Sequence, residues 1–243
     1  MWPLEPWFER RRDVIRVGRE RVERWRPSAE GLVLRDQRVA TAHDGQNPEV
    51  LRAALQDLLG ADIAGSADVV LESAWLPLML LDVGTAPWSS AKLQALLRHR
   101  LGELYGQASI NAWDLLLDYR PGDAKALGYG LAPEIKQAVV DAAAAAGQKL
   151  ASVQPAFQWA ARRLKPQKRT EGWWLWLEQD RALLARVRQG RVVHLNAAAP
   201  LPRDEADSTR LAGIEARRRG EADQDRATVT AGWSAPWISV AAA

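Results

Sequence analysis

The chain has 243 residues, of which 47% are apolar and 26% charged, with a formal net charge of +3. That is ample for a buried core, in one large domain or two small lobes, and it excludes a mostly disordered protein. Cysteine is absent and the three histidines, His43, His99 and His194, lie far apart, which excludes a disulfide framework, a thiolate zinc site and a cysteine nucleophile.

Residues 1–9, with Trp2, Pro3, Pro6 and Trp7, read as an arm without the basic-then-apolar order of a secretory signal. Asp13 to Val17 and Arg21 to Trp25 are short β-type runs, and Leu32 to Leu34 with Val39 adds a third, which predicts an antiparallel meander. Asn47 as N-cap and Pro48 at the first helical position open a helix with Leu51, Leu55, Leu58 and Leu59 on one face. Val69 to Leu71 and Leu78 to Val83 read as strands. The apolar stretch containing them is broken by Glu72, Pro77 and Asp82, so it is too short to span a membrane. Ser89 or Ser90 caps a second helix carrying Leu93, Leu96, Leu97, Leu101 and Leu104. Trp113 to Tyr119 and Ala126 to Leu131 are strands around the turn Pro121-Gly122-Asp123. Pro133 starts a third helix that Gly147 ends; Leu150 to Val153 is a short strand; Pro155 starts a fourth helix ending near Leu164.

A polar segment, Lys165 to Thr170, reads as a linker. Beyond it Trp173 to Leu177, Ala182 to Val187 and Val192 to Leu195 form a second meander, then a polar helix with Leu211 and Ile214, then a tail with Trp233 and Trp237. The expected organisation is an arm (1–9), a first lobe (10–164) with an inserted α+β subdomain at about 85–150, a linker (165–171), and a truncated second lobe with a Trp-containing tail (172–243).

Little in the chain points to catalysis. Arg10 to Arg12, the set Arg162, Arg163, Lys165, Lys168 and Arg169, and Arg217 to Arg219 are basic clusters, read as solvated loops and helix ends rather than as a lipid or nucleic-acid surface. His99, between Arg98 and Arg100, reads as a surface residue, and His194, alternating with Val193 and Leu195, points to solvent or to a strand neighbour. Asp114 and Asp118 share one strand face and read as exposed acids rather than a metal pair. Ser89 and Ser90 lack the context of a nucleophile elbow, and no Walker loop or dinucleotide fingerprint occurs. No catalytic residue, metal site or cofactor is expected.

A β-meander followed by a helix, occurring twice, is the organisation of the actin-like ATPase (ribonuclease H-like) fold, an α/β class with two lobes. In that fold each lobe's first hairpin holds nucleotide phosphates with backbone N–H groups, through an Asp-x-Gly-Ser/Thr pattern whose glycine permits close approach. Here the first hairpin reads Asp13-Val14-Ile15-Arg16-Val17-Gly18-Arg19-Glu20 and the second Trp176-Leu177-Glu178-Gln179-Asp180-Arg181. Neither has the glycine-hydroxyl turn, and Glu20, Glu178 and Asp180 put negative charge where phosphates would sit, so ATP is disfavoured. One literal match lies elsewhere, Asp82-Val83-Gly84-Thr85, and makes Asp82, Gly84 and Thr85 the candidate cofactor-binding residues.

Trp113 to Arg163, with Gly147-Gln148-Lys149-Leu150-Ala151-Ser152-Val153-Gln154-Pro155, resembles the inserted subdomain of PilM- and GspL-type proteins, and Gly172 to Asn196, with its Gly-Arg-Val-Val turn, is similar to the opening of their second lobe. The resemblance covers roughly residues 65 to 200. It implies an actin-like scaffold beneath the inner membrane, in type IV pilus assembly or type II secretion, that binds the cytoplasmic tail of a membrane partner. Loss of both phosphate loops favours a degenerate, non-catalytic member. Tryptophan favours interface cores, which makes Trp2, Trp7, Trp88, Trp233 and Trp237 the partner-binding candidates. The alternatives are an ATP-hydrolysing enzyme of the same fold using Asp82, Gly84 and Thr85, and a single-stranded nucleic-acid binder using the Arg clusters with Trp stacking.

Overall fold

The computed structural model describes residues 12–28, 31–39, 47–60, 66–163, 171–220, 228–231 and 238–240. The first lobe opens with β1 (Asp13–Val17), β2 (Arg21–Ser28) and β3 (Gly31–Val39), then α1 (Pro48–Leu59) and β4 (Ser66–Leu71). An insertion follows: β5 (Leu78–Asp82), α2 (Ser90–Tyr105), α3 (Gln107–Ile110), β6 (Asp114–Asp118) and β7 (Lys125–Leu131). The chain returns through α4 (Pro133–Ala145), β8 (Lys149–Pro155) and α5 (Ala156–Arg163). The second lobe holds β9 (Gly172–Leu177), β10 (Ala182–Arg188), β11 (Arg191–Ala199), α6 (Glu205–Arg218), β12 (Thr228–Ala231) and β13 (Ile238–Val240).

Local chemistry sets the element ends. The Asn47 side chain accepts from the N–H groups of Glu49 and Val50, with Pro48 in the first turn, so α1 starts where the sequence places it. Ser89 caps α2 by accepting from the Lys92 N–H. Gln189 and Gly190 both take positive φ, 50° and 72°, as the tight turn joining β10 to β11 requires.

The two five-stranded sheets repeat one plan, in the orders β3-β2-β1-β4-β8 and β11-β10-β9-β12-β13. In each, an antiparallel meander is extended by a strand parallel to its first: β4 beside β1, and β12 beside β9. They differ at the last strand. β8 runs parallel to β4, but β13 runs antiparallel to β12. The reason is the connection. β4 reaches β8 through the whole insertion and α4, whereas only residues 232–237 separate β12 from β13, and a parallel return takes a dozen or more.

The insertion forms its own sheet, β5-β7-β6, so it begins at Leu78, and α4 and β8 belong with the first lobe. Leu93, Leu97 and Leu101 of α2 pack on it with Leu81, Ile110 and Ala126. The main core joins both lobes: Ile15, Leu55, Val69, Trp75 and Phe157 pack in one cluster with Trp174, Trp176, Leu183 and Ala185. Period-two alternation turns Trp173, Leu175 and Leu184 to the opposite face, where Ala212 and Ala216 of α6 cover them. Burial on both faces explains why β9 reads as an unbroken apolar run and β10 as one interrupted by the buried Arg186.

Trp174 thus sits between the lobes, with Phe157 of α5 at a ring-centroid distance of 6.2 Å. Trp174→Ala is expected to cost about 3–5 kcal/mol of folding stability, measured by urea denaturation; a cost under about 1 kcal/mol would place this ring outside the shared core.

Candidate functional site

The β1–β2 turn (Gly18-Arg19-Glu20) and the β9–β10 turn (Glu178-Gln179-Asp180-Arg181) occupy equivalent places in the two sheets, and they meet. Each is closed by its own backbone bond: the Gly18 N–H donates to the Arg21 carbonyl at 3.0 Å, and the Glu178 N–H to the Arg181 carbonyl at 2.9 Å.

Gln179 crosses between them. Its Oε1 accepts from the N–H groups of Glu20 and Arg21, at 2.9 and 3.0 Å, and its Nε2 donates to the Arg21 carbonyl at 2.9 Å. The amide lies directly over Gly18: a Cβ added there would fall 2.1 Å from Gln179 Cδ. Only glycine leaves room for this approach. Trp75, 2% exposed, donates from Nε1 to the Gly18 carbonyl at 2.7 Å and braces the turn from behind.

Buried charge surrounds this contact. The Glu72 N–H donates to the Val17 carbonyl at 3.0 Å, carrying the β1–β4 pairing to the turn. The Glu72 carboxylate, 0% exposed, accepts from Arg16 Nε at 2.5 Å and from the Gln179 N–H at 3.1 Å. Arg16 also pairs with Glu23 at 3.0 Å. From the other lobe Glu178, also buried, accepts from the Ser73 N–H at 2.9 Å and from the Ser73 hydroxyl. Arg19 reaches Asp180 at 2.9 Å, and Arg181 holds the same carboxylate at 2.7 Å. Together these satisfy the polar groups that the meeting of two turns takes out of water.

Burial pushes the Glu72 carboxyl up to about 8; Arg16 pulls it down and Glu178 pushes it further up. Burial also raises Glu178, against the hydrogen bonds from Ser73 and the charge of Arg181. Asp180 moves the other way, held down by its hydrogen bonds to Arg181 and Arg19.

The other sequence-predicted residues lie elsewhere. Asp82 ends β5, exposed, with Lys125 Nζ at 2.5 Å. Gly84 follows at φ +65° and Thr85 is exposed. Asp82 belongs to the inserted sheet and Gly84 and Thr85 to the loop that leads from it to α2, and the structure does not bring them to either turn. Trp88 is half-buried against the insertion, donating from Nε1 to the Val83 carbonyl at 2.8 Å. Trp2, Trp7, Trp233, Trp237 and His43 lie outside the described residues. Asp114 and Asp118 share the exposed face of β6, paired with Lys136 at 2.7 Å and Arg191 at 3.3 Å. His99 is exposed on α2, 3.4 Å from Glu103. His194 lies 2.9 Å from both Glu215 and Arg219 of the α6 end. Arg218 of the third basic cluster also pairs with Glu215, at 3.6 Å. Gln179, Ser73, Arg16 and Trp75 carry the junction but no motif marks them; the only signals were the acidic second turn and a glutamate interrupting the apolar stretch after β4.

A second feature is a small open cleft of about 80 Å³ where the insertion, α5 and β11 meet, with Tyr129, Phe157 and Trp174 behind it and Asp118, Asp123 and Arg191 along it. Among the described residues no cluster of histidine and acid side chains could hold a metal ion, and no helix is long and apolar enough to cross a membrane.

Solved structures share this architecture. The cytoplasmic domain of EpsL, an inner membrane component of the type II secretion system of Vibrio cholerae, matches with a TM-score of 0.51 at 15% identity, over 90% of this chain and 82% of that one. A Bacteroides thetaiotaomicron protein with an actin-like ATPase fold and unknown function matches at 0.52 and 8% identity, over 87% and 77%. A chain of the PilM–PilN type IV pilus biogenesis complex matches at 0.50 and 16% identity, over 88% and 67%. No protein-family model matches the sequence, and no curated protein matches it. The chain has the actin-like ATPase fold, and its two meeting turns are the pair of hairpins that the fold repeats.

Because the folded state holds the Glu72 proton more tightly than the unfolded chain does, stability falls as pH rises from the ordinary carboxylate range through about 8. The urea midpoint of the wild type is expected to drop between about pH 5 and about pH 8, and Glu72→Gln to flatten that slope. A wild-type midpoint that climbs over this interval would contradict the assignment.

Proposed function

We propose that this protein is a non-catalytic actin-like scaffold of a bacterial envelope assembly, of the type IV pilus or type II secretion kind. On this reading it works in the cytoplasm or at the inner face of the inner membrane and binds the cytoplasmic tail of a membrane protein or a neighbouring subunit. One observation carries the non-catalytic half: the Gln179 amide lies over Gly18 on the first turn, and the buried carboxylates Glu72 and Glu178 flank it. A polyphosphate would have to displace the amide from the Glu20 and Arg21 backbone groups that it already satisfies. The partner half is supported by what the similar structures are, an inner membrane component of a secretion system and a member of a pilus biogenesis complex. The cleft beside Tyr129, Phe157 and Trp174 carries the acids Asp118 and Asp123, which Arg191 pairs at 3.3 and 3.1 Å. A short tail with the Lys and Arg typical of cytoplasmic segments near a membrane would take these acids over from Arg191.

Two measurements test the reading. Calorimetry with Mg-ATP is expected to give no binding heat; micromolar affinity would overturn the pseudo-ATPase assignment. Peptides matching the cytoplasmic tails of membrane proteins encoded beside this chain are expected to bind, and exposed Asp118→Arg to weaken them about tenfold, the loss of one charged contact. If no such tail binds, the scaffold reading fails.

A further inference from the structure

The contacts at the turns do more than fill space. Gln179, Glu178 and Asp180 belong to the second lobe; Glu20, Arg21, Glu72, Ser73 and Arg19 belong to the first. Each hydrogen bond among them therefore crosses from lobe to lobe: Gln179 to the Glu20 and Arg21 backbone, the Gln179 N–H to Glu72, Ser73 to Glu178, and Arg19 to Asp180. The interlocking runs in both directions. A side chain of the second lobe bonds the backbone of the first-lobe turn, and a carboxylate of the first lobe accepts from the backbone of the second-lobe turn. A side-chain amide that both accepts and donates along a peptide backbone reproduces the pairing of a neighbouring strand. It does so here on Glu20 and Arg21, beyond the reach of β1.

We propose that the β9–β10 turn is a resident latch that locks the facing turns of the two lobes together, above the core they share and without any ligand, with the Gln179 amide as its bolt and Gly18 as its seat. Closure is then a property of the folded chain and does not wait on a bound molecule to bridge the lobes. The latch would operate whether or not the protein is an assembly scaffold, since it concerns the lobes and not a partner.

The seat and the bolt lie on opposite lobes, so each can be altered alone. Gln179→Ala removes the bolt from a half-buried turn residue and leaves both backbones intact. Gly18→Ala leaves the bolt but puts a Cβ into it. Amide hydrogen exchange on the full chain reads the result at Glu20 and Arg21, and small-angle scattering reads the separation of the lobes. In the wild type the Glu20 and Arg21 amides are expected to be protected, with no change on adding Mg-ATP. Gln179→Ala is expected to speed their exchange about tenfold, the scale of a lost hydrogen bond, while the shared core holds the radius of gyration unchanged. Gly18→Ala is expected to do the same, and in the Gln179→Ala background to add almost nothing, because the clash has lost its partner. Unchanged exchange in Gln179→Ala would overturn the latch, as would fully additive effects of the two changes. Should Gly18→Ala fail to fold, its recovery in the double variant supports the seat and bolt, and failure of the double variant as well overturns them. Nucleotide binding by a wild type whose Gln179→Ala variant still exchanges faster would sink the pseudo-ATPase reading and leave the latch standing.

Discussion

The Gln179 side chain reaches across the gap between two β-turns and bonds the backbone of the opposite one, over a glycine that has no Cβ to obstruct it. Two lobes built on the same strand order bring their first hairpins to the same place. Backbone N–H and C=O groups in such turns need partners once water is excluded. In an actin-like protein that binds nucleotide, phosphate oxygens answer the donors. Here an amide does, because it offers an acceptor for the N–H groups and a donor for the carbonyl at once. The rest of the junction follows. Removing the turns from water also buries Glu72 and Glu178, so Arg16, Ser73 and the Gln179 N–H must satisfy them.

The second lobe shows how far the duplication extends and where it stops. β9, β10 and β11 repeat β1, β2 and β3, and α6 covers its sheet as α1 covers the first. The insertion and the parallel last strand have no counterpart, since β13 returns antiparallel after a short connection. The tryptophans of β9 make up for some of the missing material by burying on both faces, Trp173 under α6 and Trp174 and Trp176 against the first lobe. Much of the Trp excess in the composition is packing of this kind.

Elements governed by neighbouring residues were legible in the sequence. Asn47 with Pro48, Gly147, and Gln189 with Gly190 each fix a local backbone geometry, and α1, the end of α4 and the β10–β11 turn fall where they indicate. The apolar runs of β9 and β10 were legible as strands of a meander, and their burial on both faces came from the structure. β12 and β13 were not legible, because four- and three-residue strands have too little pattern, and β12 depends on pairing with β9, far away in sequence. The site divides in the same way. That both turns lack the glycine-hydroxyl pattern can be read from the residues. That Gln179 takes the place on Gly18 cannot, because the contact spans 159 positions between Glu20 and Gln179. Glu72 read as a break in an apolar stretch, and its burial against Arg16 is a tertiary contact.

The central claim is that the protein's own amide stands where an actin-like protein keeps its phosphates. The most direct measurement is a crystal structure of the full chain grown with a non-hydrolysable ATP analogue and Mg²⁺. The expected result is Gln179 Oε1 within hydrogen-bond distance of the Glu20 and Arg21 N–H groups, with no nucleotide between the turns. Nucleotide density there, with the Gln179 side chain swung away from Gly18, would contradict it.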